Sequence, residues 1–171
     1  MEQFREISLY EFTASPFELL DKEWVLITAP DSTKESGANA MTASWGGLGV
    51  LWNRPTATVY VRPQRYSYAL CEAADRIALC VLPEEYRDAL KYCGTRSGKD
   101  TDKLRDCSLN CIKIDGVPVI SQSKTVMICK KAYADLIKKD NFVDTNHIKH
   151  YPKDDFHRFY ILEIEKILVK E

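Results

Sequence analysis

Hydrophobic residues in this chain fall into short β-branched runs rather than long helical stripes. Trp24 to Ala29 (WVLITA) is an apolar run stopped by Pro30-Asp31, which predicts a buried strand. Ala38 to Trp45 (ANAMTASW) predicts a second, built from small and hydroxyl side chains. Ala57 to Arg62 alternates, with Thr58, Tyr60 and Arg62 on one face and Ala57, Val59 and Val61 on the other, so a strand delivers Arg62 at its end. Ile77 to Leu82, Val126 to Ala134 and His157 to Val169 predict three more strands. Cys111 to Ile120 predicts a hairpin turning at Asp115-Gly116. Helical spacing is confined to a few places. Tyr86, Ala89, Leu90 and Cys93 follow Pro83 at helical intervals until Gly94, and a short helix is expected at Tyr68 to Ala74. A third start is expected at Ser97, with Asp100 three residues on as in a capping box. Without a βαβ period, these elements imply a mainly β, mostly antiparallel sheet or barrel with flanking helices. No repeat, linker or charge block divides the chain, so residues 1–171 read as one domain with 1–23 as a lead-in segment.

Charge adds one asymmetry. Lys and Arg number 24 against 25 Asp and Glu, a net charge of −1, which removes the excess of cations from which nucleic-acid or anionic-membrane binding starts. The N-terminus has early acidic residues and no apolar core, and no window approaches a membrane span, so a soluble cytoplasmic protein is expected. Yet from Ser36 to Cys71 there is no Asp, Glu or Lys, only Arg54, Arg62 and Arg65 as charges. The six cysteines include no C-x-x-C, and Cys107 and Cys111 have no His or second pair to complete a zinc set, so free thiols are expected. His147, His150 and His157 lie among Lys149, Lys153 and Arg158, which repel a cation, and no metal site is expected.

Two nucleotide signatures fail. Gly94 to Asp100 has three residues between its glycines instead of four, and Asp100 follows Lys99 where a phosphate loop needs Ser or Thr. Gly46, Gly47 and Gly49 do not complete G-x-G-x-x-G because Trp52 takes the last position. Arg62-Pro63-Gln64-Arg65-Tyr66-Ser67 offers a different solution. Proline turns the chain out of the sheet, and two guanidinium forks and a hydroxyl follow, either gripping a phosphate or pairing with surface carboxylates. Beside it, the small side chains of Asn39 to Trp45 leave backbone N–H and C=O groups open to the edge of a flat heterocycle.

In order, N-A-M-T-A-S-W (39–45), R-P-Q-R-Y-S (62–67), Y-C-G-T-R-S-G-K-D-T-D-K (92–103) and F-H-R-F-Y-I-L-E-I (156–164) resemble the flavin reductase-like proteins of the FMN-binding split-barrel class, in their flavoredoxin-type branch. The resemblance runs from about Trp24 to the C-terminus. It implies a six-stranded antiparallel split β-barrel of Greek-key topology, a homodimer, noncovalent FMN, and reduction by NADH or NADPH. Met41, Thr42, Ala43, Ser44 and Trp45 would contact the ring, with Asn39 at its edge. Arg62, Arg65 and Ser67 would hold the phosphate. Ser97, Gly98 and Lys103, around a helix N-terminus, would either add phosphate or ribityl contacts or receive the nicotinamide nucleotide. His157 would position the nicotinamide or stabilise charge on the reduced flavin. Trp45, Trp52, Tyr66 and Tyr160 are available for stacking. Three readings follow: an NAD(P)H:flavin oxidoreductase feeding free flavin, a monooxygenase partner or ferric iron; a flavoredoxin-like electron carrier; and a nonenzymatic domain binding a phosphorylated ligand or single-stranded RNA, which the charge balance disfavours.

Overall fold

The computed structural model describes residues 4–171. The strands are β1 (Phe4–Ile7), β2 (Val25–Pro30), β3 (Ala38–Ala43), β4 (Gly46–Leu51), β5 (Arg54–Val61), β6 (Arg76–Val81), β7 (Cys111–Ile114), β8 (Val117–Ile120), β9 (Thr125–Leu136) and β10 (Arg158–Lys170). Three α-helices flank them: α1 (Tyr66–Ala73), α2 (Arg87–Thr95) and α3 (Lys103–Asp106). One antiparallel sheet runs β3-β2-β6-β9-β10-β5-β4, with β1 paired to β10, and β7 pairs with β8 separately. Six strands were expected. The main sheet has eight, and the mainly β, antiparallel class stands. The first three residues of the lead-in 1–23 lie outside the described residues, while Phe4–Ile7 within it is a strand.

The sheet cannot be flat. Its ends, β3 and β4, are joined by Ser44 and Trp45 alone, whereas seven strands side by side would separate those ends by about 29 Å. The sheet therefore curls until its edges face each other, and β3 keeps one edge free of strand partners. Period-two alternation fills both sides. Val25, Ile27 and Ala29 of β2 and Ile77, Leu79 and Val81 of β6 pack inside with Tyr160 and Leu162. Leu26, Ala78 and Cys80 face outward onto Leu90 and Cys93 of α2, Leu104 of α3 and Val119 of β8. This two-sided burial explains the continuous apolar runs.

The Asp115-Gly116 hairpin forms, with φ of 50° and 80° at the two turn residues. The β4–β5 hairpin turns at Trp52 and Asn53, with φ of 53° and 58°. Its glycine-rich first strand hides the usual alternation, and a tryptophan in the left-handed region conceals the turn. The helix expected at Ser97 is absent: residues 97–100 form a turn in which the Ser97 hydroxyl accepts from Lys99 N–H at 3.2 Å. The helix begins at Lys103, where the Asp102 side chain caps Arg105 N–H. Among the described residues no helix is long and apolar enough to cross a membrane.

Candidate functional site

At the seam between the barrel's edges lies a cleft of about 300 Å³, lined by Met41 to Trp45, Tyr60, Arg62, Arg65 and His157. A smaller lobe of about 90 Å³ adjoins it, lined by Arg65, Tyr66, Ser67, Ser97, Gly98 and Lys103 among others. Arg65 belongs to both. The sequence candidates are thus brought together, but their assignments sort differently.

The first lobe runs along the free edge of β3. Residues 38–43 pair with β2 on one side only, so alternate N–H and C=O groups on the other side have no strand partner. The Thr42 hydroxyl proton is committed to Leu90 C=O at 2.6 Å, which leaves its oxygen to act only as an acceptor. Met41 and Ala43 are buried, Ser44 is half-buried and Trp45 is exposed. Trp45 lies with its ring centroid 5.1 Å from that of His157. His157 shares a 3.0 Å hydrogen bond between Nδ1 and the Tyr151 hydroxyl. Burial, reinforced by the Arg62 charge, pushes its pKa down to about 4. At neutral pH it is an uncharged imidazole, suited to orienting a ring and not to neutralising an anion.

The second lobe is cationic. Lys103 is buried and its Nζ donates to Cys93 C=O at 3.2 Å. Burial, aided by Arg65 and Lys34, pulls its pKa down to about 8. Arg65 is half-buried, and burial lowers its pKa too. Among the described residues neither cation has a carboxylate within ion-pair distance. Arg65 also occupies the N-cap of α1 without a side-chain cap, so the first N–H groups of that helix add unfilled donors beside Tyr66 and Ser67. Asn39, expected at the ring's edge, lines neither lobe directly; its Nδ2 donates to the Ser67 hydroxyl at 2.8 Å. Gly98 is packed against both walls. A Cβ there would meet the Asn39 side-chain oxygen and come within 2.6 Å of Tyr66 Cδ1.

Arg62 departs from the expected phosphate grip. It lines the first lobe only, forms an ion pair with Asp155, and donates to His150 C=O at 2.8 Å. The acid-free stretch hid this partner because Asp155 is 93 residues away. Tyr60, Tyr151, Asp155 and Gln64 escaped the sequence reading. Tyr60 and Gln64 had a signal, since Tyr60 shares a strand face with Arg62 and Gln64 lies within the Arg62 to Ser67 motif. Tyr160 is fully buried and Trp52 caps an exposed hairpin. The six cysteines are free thiols, and among the described residues no three His, Cys, Asp or Glu side chains could hold a metal.

A slot along an open strand edge, continuous at Arg65 with a cationic lobe that contains no carboxylate, fits a flat hydrogen-bonding ring with an anionic tail, as FMN has. A family model described as the flavin reductase like domain matches residues 20–171. No curated protein sequence matches. Among solved structures, the FMN-binding domain of a flavin reductases-like enzyme from Shewanella baltica OS155 is 17% identical over 99% of this chain and 78% of that one, with a TM-score of 0.67. The flavoredoxin of Desulfovibrio vulgaris (Miyazaki F) is 20% identical over 98% and 78%, at 0.68. The styrene monooxygenase flavin reductase from Pseudomonas putida S12 is 14% identical over 85% and 77%, at 0.61. At these identities the likeness is one of fold.

Proposed function

The chain belongs to the flavin reductase-like family, and on that premise we propose that it is an FMN-binding oxidoreductase that takes reducing equivalents from NADH or NADPH and passes them to free flavin, a monooxygenase partner or ferric iron. The observation that carries this reading is the pair of cations at the end of the slot beside β3, buried Lys103 and half-buried Arg65, neither of which has a carboxylate partner among the described residues. Buried cations are costly unless paired, so a lobe that leaves two unpaired is built to receive an anion.

Each residue then has a task. The free edge of β3 holds the ring through backbone groups, which accept and donate in a fixed order and cannot rotate away. Arg65, Lys103, Ser67 and the α1 N-terminus hold the phosphate. Asn39 orients the Ser67 hydroxyl, and Gly98 gives the backbone room to pass. Neutral His157 and Trp45 shape the open side of the slot, where the nicotinamide would stack. FMN supplies N5 as hydride acceptor, and the protein's contribution is orientation, electrostatics and exclusion of water. No protein nucleophile is needed.

The exposed apolar side chains of Phe17, Val50 and Trp52, beside an apolar hollow of about 500 Å³ at Trp45 and Leu48, are a surface for a second copy of the chain. The competing reading, a flavoredoxin-like carrier without efficient nicotinamide oxidation, uses the same flavin site. Anaerobic stopped-flow mixing of the FMN-loaded protein with NADH and with NADPH separates the two. Bleaching of the flavin band at a rate that saturates with nucleotide supports the oxidoreductase, and a spectrum unchanged over minutes with both leaves only the carrier.

A further inference from the structure

Residues 137–157 connect β9 to β10 as a strap beside the ring slot. Its ends are clipped together by Ile137 N–H donating to His157 C=O at 2.9 Å. Its interior is a small aromatic cluster, in which Tyr151 and Phe156 have centroids 4.7 Å apart and Phe142 packs on both at about 6 Å. Its grip on the barrel converges on one guanidinium. Arg62, one residue beyond β5, pairs with Asp155, donates to His150 C=O and lies 5.3 Å from the Tyr151 ring centroid. Gln64 donates to the same Asp155 oxygen at 2.6 Å.

Exposed ion pairs contribute little to stability, but this pair is mostly covered: the side chains of Arg62 and Asp155 are 25% and 17% exposed. The other Asp155 oxygen is buried without a hydrogen-bond donor, which costs stability. The carboxylate is therefore placed where it holds Arg62 and not where it is best satisfied. What the strap carries explains the arrangement. Tyr151 holds His157 through Nδ1, and His150 packs edge-on to Trp45 with centroids 5.9 Å apart, so both aromatic groups at the mouth of the slot depend on the strap's position.

We infer that Arg62 and Asp155 form a latch that holds the 137–157 strap as one wall of the slot, and that this latch positions His157 and Trp45 for the reductant instead of retaining the flavin. Arg62 and Asp155 are positioning residues in this scheme, which rests on the oxidoreductase reading for the identity of the reductant. The flavin's own anchors, the β3 edge and the Arg65/Lys103 lobe, lie outside the strap.

Asp155→Ala is the decisive variant, with thermal unfolding checked against wild type. Opening the latch is expected to speed tryptic cleavage after the exposed Lys149 about tenfold and to raise KM for the nicotinamide nucleotide about tenfold, a loss equal to about 1.4 kcal/mol, while kcat and the Kd of FMN stay within about twofold. Arg62→Met, which also loses the His150 and Tyr151 contacts, should cleave at least as fast, and the effects should be less than additive in the double variant, because the two residues share one ion pair. Unchanged cleavage at Lys149, or additive effects in the double variant, would overturn the latch. An FMN Kd that worsens as much as KM would overturn the separation of reductant from flavin binding. If wild type is not reduced by either nucleotide, the oxidoreductase reading and the strap's role toward reductant fall together, while the cleavage arm still decides the latch.

Discussion

Replacing Lys103 by methionine should make the flavin-free protein more stable and its grip on FMN weaker. Lowering a lysine from its ordinary 10.5 to about 8 places a penalty of about 3 kcal/mol on its charged form. Below pH 8 the side chain is charged in both folded and unfolded chains, so the full penalty stands. Between pH 8 and 10.5 the folded side chain is neutral while the unfolded one still holds its proton, and stability rises with pH. The Lys103→Met change would remove that charge at pH 7 and leave the Cys93 carbonyl without its Lys103 donor, a loss of about 1 kcal/mol. The net expectation is a gain of about 2 kcal/mol in urea unfolding at pH 7 without ligand. Losing a charge-assisted contact should raise the Kd of FMN about 10- to 100-fold. Riboflavin, which has no phosphate, should be spared. In wild type a bound dianion draws a proton onto Lys103, so FMN affinity should fall by up to about tenfold per pH unit above pH 8, and the variant should lose that dependence. Fluorescence titrations with both flavins at pH 7 and 9.5, alongside urea melts, read all of these. A variant less stable than wild type at pH 7, with both flavins weakened alike, would refute the reasoning and make Lys103 a structural residue.

Other outcomes follow from the same contacts. Gly98→Ala should weaken FMN by about 1–3 kcal/mol, because its Cβ collides with Asn39 and Tyr66 at the phosphate lobe; isothermal titration reads this. Leu162→Ala, fully buried inside the barrel, should cost about 2–5 kcal/mol in denaturant unfolding. His157, held near 4 against an ordinary 6.5, makes wild-type stability fall as pH drops from 6.5 to 4, since the unfolded chain binds the proton first. His157→Gln should flatten that slope in urea midpoints measured across the window.

The barrel was legible because its strands obey period two on both faces: the runs at Trp24 to Ala29 and Ile77 to Leu82 look continuous only because one residue set fills the barrel and the other meets α2, α3 and β8. What failed had no local signal. Gly46–Leu51 is half glycine and mostly exposed, so β4 shows neither alternation nor an apolar run. Ser97 and Asp100 mimic a capping box, but Gly98 is needed there for clearance and the chain turns before it can coil. The site was legible as a set because its residues cluster in short motifs. The division of labour between Arg62 and Arg65 was not, since both line the first lobe and only Arg65 reaches the second, and the carboxylate that claims Arg62 arrives from the segment between β9 and β10.

The central claim is that a flavin lies along β3 with its phosphate held by Arg65 and Lys103. Titrating flavin-free wild type and Arg65→Ala with FMN and with riboflavin tests it most directly. The account predicts that wild type binds FMN at least about tenfold more tightly than riboflavin, and that Arg65→Ala loses most of that margin while riboflavin affinity holds. Equal losses for both flavins, or a wild-type protein that binds neither, would contradict it.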